Sequence, residues 1–189
     1  MSTSTPETHA RRLAAVRGRA RDLGIDHVVV YSGEDMSYLT SERMDSHERL
    51  TALVVPVDGG APLLVLPSLE LTDVTRRAAD RVGATVHPWS DGTDAVALVT
   101  GSVAGRVAVS TAMPALHLVP LQAGVDGEVV LASEVIEHVR SRRRTRWTSS
   151  PRPPGVSMRS TPAWASSSGW AVPSRRWART SPPRSSRRA

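Results

Sequence analysis

LTALVVPVDGGAPLLVL, residues 50–66, holds two short apolar runs, Leu50–Val57 and Leu63–Leu66, on either side of Asp58-Gly59-Gly60. Valine-rich runs of this length read as strands, and an Asp-Gly-Gly junction is a turn with the backbone freedom a hairpin needs. Upstream, His27–Tyr31 (HVVVY) is a third run, apolar on both faces, the mark of a strand covered from both sides. Before it, Leu13, Val16, Ala20 and Leu23 recur at helical spacing in Glu7–Leu23, and Gly24 closes that helix. Downstream, Ser68 is the expected cap of a helix running through Leu69, Leu71, Val74 and Ala78 to Val82, with Gly83 past its end. Thr85–His87 reads as a strand, Asp91–Val99 as a helix and Arg106–Val109 as a strand. Ala112–Leu121 is the next helix and Val129–Leu131 the last strand, and Ser133 begins a helical stretch reaching His138 and Val139. Alternating strands and helices predict an α/β fold, a mixed sheet flanked by helices, and about 130 residues can enclose a core.

Charge divides the chain. All 18 acidic residues lie at or before Glu137, against twelve arginines through Arg140, a net of −6. Residues 141–189 hold twelve arginines and no acid. One folded surface rarely separates its signs so completely. The expected organisation is a folded domain over 7–140 and a disordered tail over 141–189, rich in Arg, Ser, Pro and Trp. Cysteine is absent, which excludes disulfides and thiolate metal sites and fits a cytoplasmic protein. No run of 18 apolar residues occurs and the first residues lack a signal-peptide core, so no membrane partner is expected.

The chemistry is sparse. His27, His47, His87, His117 and His138 match no compact ligand spacing and read as surface or packing histidines. Asp35, Glu42, Asp45 and Glu48 are placed in one loop that could bind a cation, although an acidic solvated loop is the simpler reading. Gly33, Gly59-Gly60 and Gly101–Gly105 serve turns, without a phosphate-loop pattern, and no serine sits in a GxSxG elbow. No catalytic, cofactor-binding or metal-ligating residue is assigned, and no cofactor is expected in this chain. The residues alone describe a binding or assembly module.

A succession of short signals resembles the amino-terminal domain of the Xaa-Pro peptidase and creatinase family. These are Arg12-Leu13, Gly24-Ile25-Asp26, Tyr38-Leu39-Thr40, Glu48-Arg49, Val55-Pro56 and Pro67-Ser68-Leu69-Glu70. Gly105-Arg106-Val107-Ala108-Val109, Ala112-Met113-Pro114, Ser133-Glu134-Val135-Ile136 and Arg140-Ser141 complete the series. The resemblance covers roughly residues 8–141. It implies a mixed sheet with flanking helices, a domain that mediates homodimer contacts and helps shape the substrate pocket. It also implies, in full-length peptidases, a following pita-bread catalytic domain that supplies two Asp, one His and two Glu to a two-metal centre of manganese or cobalt. None of those five ligands maps onto this chain, so the expectation is an inactive, non-catalytic fragment that in an intact relative partners a catalytic domain. Tyr38, Arg49 and Glu70 stand out as fold or interface positions. A creatinase-type amidinohydrolase parent, or a small binding protein with a basic tail, remains open.

Two explanations compete for residues 141–189. Arginine interleaved with Trp147, Trp164, Trp170 and Trp177 suits polyanion binding, at least non-specifically. Alternatively, the frame of GC-rich DNA has shifted near Ser141–Arg144. The chain has no lysine, and a GC-rich back-translation of 155–189 reads in a neighbouring frame as acidic, amphipathic helix.

Overall fold

Residues 28–31 set the geometry of the whole sheet. Val28 and Val30 face one layer of helices, Val29 and Tyr31 face the other, and all four are buried. Period-two alternation with both faces apolar forces a sheet covered on both sides. The structure is a computed structural model and describes residues 6–44 and 48–140. The expected basic tail and its possible frame change lie outside the described residues, as do His47 and Asp45.

Six strands form one sheet: β1 (His27–Tyr31), β2 (Ala52–Pro56), β3 (Leu63–Pro67), β4 (Thr85–Trp89), β5 (Val107–Val109) and β6 (Val129–Leu131). Their order is β4-β3-β2-β1-β5-β6. β1 and β2 are antiparallel with His27 opposite Pro56, and β2 and β3 form the antiparallel hairpin read around Asp58-Gly59-Gly60. The β3/β4, β1/β5 and β5/β6 pairs are parallel. The fold is therefore a mixed α/β sheet flanked by helices. One core joins α1 (Pro6–Asp22), α2 (Glu34–Thr40) and α3 (Asp73–Val82) to a sheet face through Val16, Met36, Leu39 and Ala78. The other joins α4 (Ala95–Thr100) and α5 (Ala115–Gly124) to the opposite face through Val99 and Leu121. Each buried Val or Leu side chain contributes about 1.5–3 kcal/mol. No helix among the described residues is long and apolar enough to cross a membrane.

Several boundaries differ from the sequence reading, each for a local reason. α2 was not foreseen: its seven residues are too short for a periodic signal, yet Met36 and Leu39 are fully buried. Ser68 caps no long helix. Ser68–Glu70 is a single 3₁₀ turn, Leu69 is exposed, and the helix starts at Asp73. Its cap is Thr72, whose Oγ1 accepts from the Thr75 amide while Thr75 Oγ1 accepts from the Thr72 amide at 2.8 Å. Such a reciprocal box satisfies two amides that the first turn leaves open. α4 starts at Ala95 rather than Asp91, and Asp94 caps it through a 3.0 Å bond from the Ala97 amide. α5 begins three residues later than read, after the extended Pro114. Strand β4 runs on to Trp89 despite Pro88, which an edge strand tolerates because a proline there forfeits no inner ladder bond.

Candidate functional site

The carboxyl ends of β1 and β5 open a crevice. These strands are parallel neighbours, but the chain leaving β1 turns into α2 on one face while the chain leaving β5 turns toward α5 on the other. Diverging connections of this kind leave a hollow at the strand ends, where ligands of open α/β sheets bind. The cleft has a volume of about 420 Å³. Its floor is Tyr31, Ser32 and Ser110, and Glu34, Asp35 and Arg140 stand at its edge. The floor is fixed by backbone bonds: the Ser32 amide donates to Thr51 O at 3.1 Å and the Ser110 amide to Val29 O at 3.0 Å. Ser110 Oγ accepts from the Tyr31 amide at 3.1 Å and donates to Asp35 Oδ2 at 3.4 Å. Arg140 Nη1 donates to Asp35 Oδ1 at 2.6 Å and Nη2 to Glu34 Oε2 at 2.7 Å. Desolvation pulls the Arg140 guanidinium down, but the hydrogen bonds to Glu34 and Asp35 outweigh it and hold its pKa above the ordinary arginine value. Beyond it, Thr111 Oγ1 donates to Glu137 Oε1 at 3.3 Å.

A second constellation ties α1 to α2. His9 is buried and its Nε2 lies 2.9 Å from Ser41 Oγ. Ser41 caps α2 in the left-handed region at φ 57°. Arg12 donates to the Tyr38 carbonyl, and its guanidinium stands 4.8 Å over the Tyr38 ring. Burial first, then the positive charges of Arg12 and Arg81, push the His9 pKa below the ordinary imidazole value. His9 is absent from the sequence reading, although it falls on the same helical face as Leu13, Val16 and Ala20, four, seven and eleven residues on. His117 is also buried, 5.8 Å from the Tyr31 ring, and burial lowers its pKa too.

A smaller hollow, about 210 Å³, lies at the carboxyl ends of β3 and β4. Arg49 donates to Asp91 Oδ2 at 3.0 Å on its rim, and Trp89 Nε1 donates to Leu50 O at 3.0 Å. Nearby, Thr51 Oγ1 donates to Glu70 Oε2 at 2.9 Å. Leu69 is 78 % exposed beside Pro67 and Trp89. Tyr38, Arg49 and Glu70 each make a contact between elements distant in sequence, and the structure does not bring the three together at one site.

Of the acidic set read as one loop, Asp35 lies on a helix, Glu42 and Glu48 lie in the irregular segment after it, and Asp45 is outside the described residues. Asp35 sits on α2, buried and bound by Arg140, while Glu42 pairs with Arg81 at 2.9 Å and with Arg77 at 3.5 Å. Helix formation after Gly33 places Asp35 on α2, where it is buried. Among the described residues, no group of three or more His, Asp or Glu side chains could hold a metal ion. His27 Nδ1 meets Ala104 O at 3.1 Å, His87 is exposed on β4 and His138 follows the last turn.

The family model of the Creatinase/Prolidase N-terminal domain matches residues 12–142. The chain belongs to this family. A protein named "Probable dipeptidase PepE" from Mycobacterium tuberculosis is 41% identical over 137 residues, which are 71% of this chain and 36% of that protein. The crystal structure of dipeptidase PepE from Mycobacterium ulcerans superimposes with a TM-score of 0.65 at 40% identity, over 71% of this chain and 37% of that one. The Creatinase/Prolidase N-terminal domain of an X-Pro dipeptidase from Streptococcus pyogenes shares the fold, with a TM-score of 0.59 at 20% identity over 68% of this chain and 98% of that one. The present chain thus spans about a third of the length of the curated relatives it matches, 36%. Within the Creatinase/Prolidase N-terminal domain, the β1/β5 cleft and the β3/β4 hollow are features a partner surface or ligand can use.

Proposed function

We propose that this domain is the non-catalytic amino-terminal part of an Xaa-Pro dipeptidase-like hydrolase, pairing two chains and shaping the mouth of a pocket whose chemistry lies in a following domain. The observation that carries the reading is the hollow at the ends of β3 and β4. There Leu69, 78 % exposed, lies beside Pro67 and Trp89, with the Arg49–Asp91 pair on the rim. An apolar tip with a charged pair at its edge is the composition of an interface core with its polar rim. Two divalent metals, manganese or cobalt, belong to the following domain in this reading, and the described residues are assigned no part in holding them. The cysteine-free sequence supports a cytoplasmic setting.

The test uses the 189-residue chain and a fusion of residues 1–140 to the carboxyl-terminal part of the M. tuberculosis relative. The chain alone, with manganese, is expected to release no proline from Xaa-Pro dipeptides, and sedimentation is expected to show a dimer. The fusion is expected to hydrolyse those dipeptides, and Leu69→Asp to weaken both its dimer and its turnover. Turnover by the chain alone, or a fusion indifferent to Leu69→Asp in both readouts, overturns the proposal.

A further inference from the structure

We infer that the cleft at the carboxyl ends of β1 and β5 is a binding site for a small organic cation bearing N–H donors, an ammonium or a guanidinium. This inference is independent of the hydrolase reading above. Three carboxylates line the cleft, Glu34, Asp35 and Glu137, against the single guanidinium of Arg140. An excess of negative charge in a concave, partly desolvated setting attracts cations more strongly than the same charges on an open surface. The floor adds a neutral polar group to these acids. Ser32 lines the cleft, is only 6 % exposed, and its buried Oγ has no hydrogen-bond partner among the described residues. A buried hydroxyl without a partner costs about 1–3 kcal/mol, which a donor entering the cleft and bonding its oxygen would recover.

Arg140 shows which chemistry fits. Its guanidinium already bonds both Glu34 and Asp35, the planar donor geometry that carboxylates select. It leaves Glu137 to a 3.3 Å bond from Thr111, and so leaves a carboxylate at the cleft with no cation on it among the described residues. Among the described residues no metal-holding group occurs, which favours a hydrogen-bonding organic cation over a bare ion. The volume, about 420 Å³, accommodates a molecule the size of an amino acid. Because Arg140 is an internal competitor for two of the three acids, an entering guanidinium displaces it or shares the acids with it. Binding is thereby coupled to the last described turn of the chain.

Titration calorimetry of the full chain tests this, with agmatine as the cationic probe, glutarate as an anionic probe of similar size, and ionic strength held constant. Saturable 1:1 binding of agmatine and none of glutarate is expected. Glu137→Gln and Ser32→Ala, each checked for native circular dichroism, are expected to weaken agmatine about tenfold, the worth of one charged hydrogen bond. Arg140→Gln vacates the acids and is expected to tighten binding by a similar factor, with a larger agmatine-induced rise in Tm than for the parent. Absence of saturable binding, equal binding of glutarate, or affinities that none of the three substitutions moves would overturn the site. If Arg140→Gln does not fold, the Glu137→Gln and Ser32→Ala titrations still decide the matter.

Discussion

Arg140 reaches back across 105 residues to place Nη1 2.6 Å from Asp35 Oδ1. The carboxylate is nearly covered, with 11% of its side chain exposed, whereas the Glu34 side chain held by the same guanidinium is 86% exposed. One cation therefore makes two pairs of very different worth. The buried pair fixes the end of the described chain against the first helix after β1, and the exposed pair adds little to it.

Truncating Arg140 leaves Asp35 buried without its cation. Arg140→Ala is expected to lower stability by about 2 kcal/mol in urea unfolding, and Glu34→Gln by less than about 0.5 kcal/mol. A double-mutant cycle of Arg140→Ala with Asp35→Asn is expected to show coupling, because each single change strands the other group. Equal effects of Glu34→Gln and Arg140→Ala contradict the unequal worth of the pairs.

Stability is expected to fall as the medium is acidified. The folded-state pKa values of His9 and His117 are both depressed, by burial in each case and also by Arg12 and Arg81 at His9. A depressed histidine binds its proton more readily when unfolded. Its stabilisation is full above the ordinary imidazole value of 6.5 and drains away as pH falls from there through the lowered folded value. Urea midpoints between pH 8 and 5 are expected to drop, and His9→Gln, which keeps a donor for Ser41, is expected to flatten the curve. A midpoint that rises on acidification contradicts the assignment.

The start of α3 separates two caps. Thr72→Ala is expected to cost about 1 kcal/mol, since it strands the Thr75 amide, while Ser68→Ala is expected to stay within a few tenths. Thermal unfolding of the two variants side by side measures the difference. A larger loss at Ser68 restores the earlier helix start.

Gly127 allows a close approach that no other residue permits. A Cβ there collides with the Gly105 carbonyl, and Gly127 itself stands at φ 153°. The Glu128 amide donates to that same Gly105 oxygen at 3.2 Å, so the contact seats β6 beside β5. Gly127→Ala is expected to lower stability by more than about 2 kcal/mol, as backbone rather than a flexible side chain must move. Gly92→Ala, in open space at φ 93°, is expected to cost less in the same denaturation series.

The core was legible where one residue type dictates one conformation. The valine runs at 28–30 and 54–55 are strands in any reading, because β-branched side chains pack best on a pleated surface. Asp58-Gly59-Gly60 fixed the hairpin register, and Leu13, Val16 and Ala20 fixed the buried stripe of α1. Where two local solutions are nearly equal, tertiary contacts chose. Ser68 and Thr72 are both capable caps, and the helix begins at Thr72 with Leu69 left in solvent. Helix α2 is too short to be stable alone and exists because Met36 and Leu39 find the core.

The amino-acid order by itself determined the α/β class, the strand positions and the charge boundary near residue 140, all properties carried by neighbouring residues. Only the tertiary structure decided that Asp35 meets Arg140, that His9 meets Ser41, and that Ser32, Ser110 and Glu137 share one cleft. Those residues are brought together by the sheet order, in which β1 lies beside β5 rather than only beside its sequence neighbour. Periodicity reports which face of an element is apolar, but it carries no record of which strand ends converge, and the cleft is made of converging strand ends.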